Sequence, residues 1–340
     1  MNPALNTALS PGLRLILARQ VRAGLAALLA GCVSPAVLAQ PAPANWPVKP
    51  VRVVVPLAAG SAVDNAARIV LQKVGDALGQ TFTIENQPGA SGLIGAERVA
   101  RAAPDGYVLG GFNDSIMTML PHMEPKPAWD ILRDFTPITL AATIDWGLVV
   151  GSQTRLNTVG DLIARAKANP GDIDFGSGGN GSPQHIGMAL LAARAGITLT
   201  HVPYKGASQA AVGVAGGEVA AALQGIATVY SLVRAGKLRL IGVATRTRLG
   251  AFPDTPTLAE SGLPGFEFNS WFTLMGPHAL PRPIVTTLRN EVVRALADPT
   301  VREKLVAQGL TPQGSTPEEL AQATQAQLTR YGELMRQMGL

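Results

Sequence analysis

The chain has 340 residues, 47% of them apolar, with 28 basic against 23 acidic side chains and a formal charge of +5. No lysine or arginine cluster interleaved with aromatics occurs, which argues against a nucleic-acid partner. The single cysteine, Cys32, excludes an intrachain disulfide, so stability must come from an apolar core, and a chain of this size is expected to build that core in two lobes.

In chain order, the first forty residues read as an export signal rather than as fold. Arg14, Arg19 and Arg22 precede an apolar run from Ala23 to Leu29, no acid occurs before Asp64, and Val37-Leu38-Ala39 places a small residue before a cut ahead of Gln40. The run is much shorter than the ~20 apolar residues that span a bilayer. Residues 1–39 are therefore expected to be removed, leaving an extracytoplasmic chain, periplasmic in a Gram-negative cell. Leu29-Ala30-Gly31-Cys32 also resembles a lipobox, in which Cys32 becomes the acylated first residue, so a soluble and a lipid-anchored form both stay open. Without the three leader arginines, 25 basic residues face 23 acidic ones, a charge of +2.

After a short Pro-rich lead, Val51–Val55 is a nearly continuous β-branched run, as a strand buried on both faces should be. Ala67, Ile69, Val70, Val74, Ala77 and Leu78 trace a helical apolar stripe that ends near Gly79. Thr81–Glu85 reads as a strand, Leu93–Ala103 as a helix and Tyr107–Phe112 as a strand. A second block repeats the alternation. Leu148–Val150 is strand-like, and Thr158 with Asp161 makes a capping-box start to a helix that stops by Asn169-Pro170-Gly171. Strands are expected at 173–175, 199–202, 219–223 and 238–244, with helices at 184–195, 208–214 and 228–235. Phe268–Met275 reads as a strand, followed by helices at 284–296, 301–308 and 317–338, the last preceded by Ser315 and Thr316 and opened by Pro317. Such alternation favours an α/β fold with parallel or mixed sheets, and helices arriving late in the chain commonly return to cover the first lobe.

Two glycine-rich bends stand out, Pro56 to Asp64 and Phe175 to Ser182. Each follows a strand-like run and opens a helical pattern, so each bares backbone N–H groups that can cradle a carboxylate or phosphate without a basic side chain. Gly176-x-Gly178-x-x-Gly181 matches the dinucleotide fingerprint, but no Asp or Glu lies between Asp174 and Glu218 to meet a ribose. No cofactor is expected. His122, His185, His201 and His278 show no metal-ligand spacing, and no metal site is expected. Ser61, Ser177 and Ser182 stand at loop–helix junctions, where capping is their ordinary role. No nucleophile elbow surrounds them. Asp64 can complement the first-turn dipole, order its own loop, or face a ligand donor.

Further residues carry a family likeness. Trp46-Pro47-Val48-Lys49-Pro50, Glu85-Asn86-Gln87-Pro88-Gly89-Ala90, Ala103-Pro104-Asp105-Gly106-Tyr107, His201-Val202-Pro203-Tyr204-Lys205-Gly206, Ala235-Gly236-Lys237-Leu238-Arg239 and Pro253-Asp254-Thr255-Pro256-Thr257, with Trp271-Phe272, resemble the Bug-type extracytoplasmic solute receptors of tripartite tricarboxylate transporters. The likeness runs from about Trp46 to the C-terminus.

The resemblance implies a type II-like periplasmic-binding-protein fold of two α/β lobes, 46–148 with 272–340 and 149–271, closing on a small carboxylated ligand for uptake or sensing. It implies a binding protein rather than an enzyme, a monomer, with permease subunits or a sensor as partners. It maps the ligand-binding positions onto Ala59, Gly60, Ser61, Ala62 and Asp64 and onto Ser177, Gly178, Asn180, Gly181 and Ser182, completed by Phe112, Asn113, Tyr204 and Gln224. Three positions depart from the family pattern. Leu57 replaces an aromatic residue, Ser61 replaces a glycine, and Gln224 stands where many members carry an aspartate, which favours a plain carboxylate over an amino acid. A periplasmic hydrolase or isomerase on a similar scaffold, or an orphan interaction protein, is the alternative.

Overall fold

The computed structural model describes residues 45–338. The expected export signal and Cys32 lie outside the described residues.

Strand β1 (Val51–Val55) is buried apart from Arg52 and lies between two parallel neighbours, β2 (Phe82–Asn86) and β3 (Val108–Phe112), with Val53 opposite both Ile84 and Leu109. Helix α1 (Ala62–Leu78) starts at the cap Ser61 and stops at Gly79, whose left-handed φ of 63° suits glycine. Its buried stripe of Ala66, Ala67, Val70, Leu71 and Val74 covers the sheet. Helix α2 (Leu93–Ala100) is shorter than the expected 93–103. A single π-helical turn, Ser115–Met119, follows β3.

The largest departure from expectation is β4 (Phe135–Gly151), a 17-residue strand of which only Leu148–Val150 is evident in the sequence. Pro137, Asp145 and Gly147 interrupt its apolar run, and two register shifts against β9 (Asn269–Pro277) accommodate the irregularity. Up to Asp145, β4 pairs antiparallel with β9; from Trp146 onward it pairs with β7 (Ala221–Gly225) and β8 (Leu238–Val243). One strand thus threads both halves of a curled, mixed sheet of order β2-β1-β3-β9-β4-β7-β5-β6, in which β5 is Asp174–Ser177 and β6 is Thr200–Pro203.

The second half holds α3 (Val159–Ala168), β5 (Asp174–Ser177), α4 (Pro183–Ala195), β6 (Thr200–Pro203), α5 (Ala207–Gly216) and α6 (Ile226–Arg234). The expected capping box on α3 is formed reciprocally by Thr158 and Asp161. The chain then returns. Helix α7 (Arg282–Ala297) packs on α1, α8 (Pro299–Ala307) leads to β10 (Leu310–Pro312) on β4, and α9 (Pro317–Met338) packs on the π-helical turn. One apolar cluster spans both halves, from Val53 and Leu109 through Ile138 and Leu148 to Leu223 and Phe268.

Candidate functional site

A cavity of about 480 Å³ lies between the two halves of the sheet and takes walls from both, a size typical of small-molecule sites. Its first wall is the bend after β1. Gly60 takes a φ of 75°, and Ser61 caps α1 by accepting from the Asp64 amide at 3.3 Å. The Ser61 oxygen is used in this way while its own proton meets no acceptor among the described residues, and Ser61, Ala62 and Val63 face the cavity. Asp64 turns inward instead. Its Oδ2 accepts from the Gly60 amide at 2.9 Å and from Arg68 at 3.1 Å, and its Oδ1 from Asn86 at 2.9 Å. It orders the loop and stands outside the cavity lining.

The second wall is the bend after β5, with Gly178, Gly179, Asn180 and Ser182 at the cavity. Ser182 repeats the arrangement of Ser61, accepting from the His185 amide at 3.4 Å and leaving its proton without a protein acceptor among the described residues. Two histidines, separated in sequence and therefore without a recognisable motif, hold this bend. The Gly181 amide donates to His185 Nδ1 at 3.2 Å, and His201 Nε2 lies 2.6 Å from Ser177 Oγ. The two rings stack 4.0 Å apart at 8°, with Phe175 5.0 Å beyond His201. Burial lowers both pKa values, that of His201 to about 4 with the neighbouring His185 adding to the effect, so the stack is neutral at neutral pH.

Helices α5 and α6 also begin here, through Gly206, Ala207, Gly225 and Thr228. Four helix N-termini, those of α1, α4, α5 and α6, therefore open on one cavity. Each presents the positive end of its dipole; α1, α5 and α6 contribute several unpaired first-turn amides, whereas α4, which opens with Pro183 and has its His185 amide bonded to Ser182, contributes that of Gln184. The cavity lining includes no Asp or Glu among the described residues, and Lys205, exposed at one side, is its charged residue. Such a site favours an anion.

The floor comes from the crossing strands and has no local signal in the sequence. Ile144 and Trp146 lie two apart on one face of β4, and Ser270 on β9 stands opposite Ile144. Trp146 meets Phe268 edge-on at 5.1 Å. Hydrogen bonds across the two halves close the cavity, from Ser91 Oγ to the Asn180 carbonyl at 2.5 Å, from Ser208 Oγ to the Ala59 carbonyl at 2.8 Å, and from Asn65 Nδ2 to the Ala227 carbonyl at 3.0 Å.

Of the residues expected at the ligand, the structure brings Ser61, Ala62, Asn113, Gly178, Asn180, Ser182 and Tyr204 to the cavity. The Tyr204 hydroxyl, however, donates to Glu218 at 2.9 Å, and burial with that neighbouring carboxylate raises its pKa to about 12. The others stand outside the lining. Ala59 and Gly60 shape the first bend, Phe112 is buried edge-on against Phe135 at 5.4 Å, and Ser177 pairs with His201. Gly181 points away, its left-handed φ of 73° and the closeness of Met123 Sδ leaving no room for a side chain. Gln224 is fully buried behind Gln184, which does line the cavity and was missed.

This fold and this cavity define a two-lobed solute-binding protein. Residues 66–340 match the family described as tripartite tricarboxylate transporter family receptor, and the chain belongs to that family of binding proteins, which are not enzymes. It is 31% identical to Protein BugT of Bordetella pertussis, over 93% of this chain and 97% of that protein. It is similar to an R. palustris protein solved with adipate, at 31% identity and a TM-score of 0.84 over 87% of this chain and 99% of that one. MatC from Rhodopseudomonas palustris with bound malate aligns at 32% identity and a TM-score of 0.80, over 85% of this chain and 99% of that one. No described helix is long and apolar enough to cross a membrane.

Proposed function

We propose that the protein is an extracytoplasmic receptor that captures a small organic carboxylate between its two lobes and presents it to membrane permease subunits. The observation that carries this reading is the convergence of four helix N-termini on a cavity whose lining includes no acid among the described residues. The adipate and malate carried by two relatives agree with it. With no lining carboxylate to meet an ammonium group, an amino acid is a poorer fit than an acid without a charged amine.

The lobes move, in this proposal, as 46–148 with 272–340 against 149–271. Support for that division comes from the change of pairing partner between Asp145 and Trp146 on β4 and from the return of the chain into β9 at Asn269. A ligand touching Ser61 on one side and Ser182 on the other binds the closed arrangement better than the open one, and this difference drives closure. Export rests on residues 1–39.

Thermal-shift screening of a carboxylate panel, with calorimetry and product analysis on each hit, tests the proposal. Saturable one-to-one binding without turnover is expected. Binding of no carboxylate, or conversion of a bound one, contradicts it.

A further inference from the structure

We infer that the cavity selects a carboxylate that also carries a hydrogen-bond donor, a hydroxyl above all, because two of its lining groups are held as acceptors by buried partners behind them. The inference rests on the receptor reading above and specifies the ligand class.

The first such group is Gln184. Gln224 Nε2 donates to the backbone carbonyl of Ala207 at 3.2 Å. A carbonyl can only accept, so the amide of Gln224 has one permitted orientation, with Oε1 turned the other way. That oxygen receives Gln184 Nε2 at 3.2 Å. The orientation of Gln184 follows in turn. One of the two N–H groups on its nitrogen is committed to Gln224, which fixes which end of the amide is oxygen, and its Oε1 lies toward Gly178, a cavity-lining residue, 3.2 Å from where a Cβ at that glycine would stand. Both glutamines are buried, at 5% and 0% exposure, so neither amide is free to rotate in water.

The second group is Ser270, on the floor. Its hydroxyl donates to Asp114 Oδ1, which also accepts from the Trp271 amide at 3.4 Å. Burial raises the Asp114 pKa to about 6, so at neutral pH the carboxylate is ionised and accepts only. The proton of Ser270 is therefore spent on Asp114, and what Ser270 offers the cavity is a lone pair. Ser270 and Asp114 are each 1% exposed.

Donors and acceptors are thus sorted by position. Ser61, Ser182 and the first-turn amides offer protons to an anionic oxygen, and Asn113 adds its Nδ2, since its Oδ1 already accepts from Ile116 N at 3.1 Å and from Ser115 Oγ at 3.2 Å. Gln184 and Ser270 accept. A ligand with carboxylate oxygens alone leaves both acceptors facing it unpaired, whereas a hydroxyl satisfies one of them. Sites built to bond a hydroxyl discriminate strongly against its absence. Gln224 and Asp114 are positioning residues, since neither lines the cavity.

The test is calorimetry at pH 7.5 with matched probes, malate against succinate, 2-hydroxyglutarate against glutarate, and 3-hydroxybutyrate against butyrate. In the natural protein the hydroxylated member is expected to bind about 10- to 100-fold tighter in at least one pair. Ser270→Ala, Gln184→Met and Gln224→Met are then compared on the ratio within that pair. Gln224→Met leaves Gln184 in place but releases its amide, so a loss of ratio there reports positioning, whereas a merely structural contribution lowers both affinities together and leaves the ratio unchanged. Collapse of the ratio toward unity in any of the three supports the inference. Equal or tighter binding of the unsubstituted acid in every pair, or a ratio unchanged in all three variants, overturns it while leaving the receptor reading intact. Failure of the natural protein to bind any carboxylate overturns both.

Discussion

Ser182→Asp separates the fold of the second bend from its binding role, because the two should move differently. Ser182 caps α4 by accepting from the His185 amide, and it faces the cavity. Aspartate ranks with serine at an N-cap, and its charge gains about 0.3–1 kcal/mol from the helix dipole. The melting temperature of the ligand-free variant should therefore stay within a few degrees of the natural protein or rise. Binding should collapse. A carboxylate on the same first-turn amides would stand about 4 Å from the new charge, a repulsion of about 4 kcal/mol at an effective dielectric constant of 20, or about a thousandfold in Kd. Differential scanning fluorimetry of the ligand-free protein, with calorimetry on any carboxylate hit, reads both quantities. An affinity within threefold of the natural protein would refute the placement of the anion at this helix. A charge introduced at Gly181 reads less cleanly, because its positive φ and Met123 penalise any side chain there.

Gly181→Ala accordingly should lower stability by at least about 1–2 kcal/mol, the ordinary cost of a side chain at left-handed φ, measured by urea unfolding; unchanged stability would contradict the tight placement of this residue. The double variant Ser91→Ala with Ser208→Ala removes two bonds that close the lobes, and should weaken carboxylate binding several-fold while the ligand-free melting temperature holds. Small-angle scattering in saturating ligand should then show a more open particle, and identical affinity would discount both bonds. His201 has its pKa lowered in the folded state to about 4, against about 6.5 in an unfolded chain. The unfolded state therefore binds the extra proton first, so the stability tied to the neutral stack is complete above about 6.5 and is lost as pH falls toward 4. His201→Phe keeps a stacking ring and should flatten this acid loss. Buried Asp114 and Asp145, whose pKa values are raised to about 6, act in the opposite sense in both proteins and cancel in the comparison. A pH profile of melting temperature identical in variant and natural protein would exclude the stack as the titrating element.

Much of the element order was legible because it rests on local signals. The β-branched run at Val51–Val55, the Thr158–Asp161 capping box and the glycine stop at Gly79 are each written within a few residues. Strand β4 was legible only in its last part, since its first part is stabilised by β9, more than 120 residues later in the chain, rather than by an apolar run of its own. The same limit governs the site. The two bends announce themselves by glycine and serine, but which way each residue faces depends on neighbours from elsewhere. Asp64 turns inward because Arg68 and Asn86 are there to receive it, Gly181 because Met123 and Leu120 lie beside it, and Gln224 because Gln184 stands in front of it. Ile144, Trp146 and Ser270 reach the cavity through a strand crossing that no local pattern encodes, and the His185–His201 stack joins a helix to a strand 16 residues away.

The central claim is that one anionic group is held between the lobes by helix N-termini, and a crystal structure with a carboxylate hit bound tests it most directly. A carboxylate oxygen should lie about 2.7–3.2 Å from first-turn amides or cap hydroxyls contributed by both sides, at Ser61 to Val63 and at Ser182. A carboxylate bound outside this cavity, or one contacting a single lobe with the other swung away, would contradict the account.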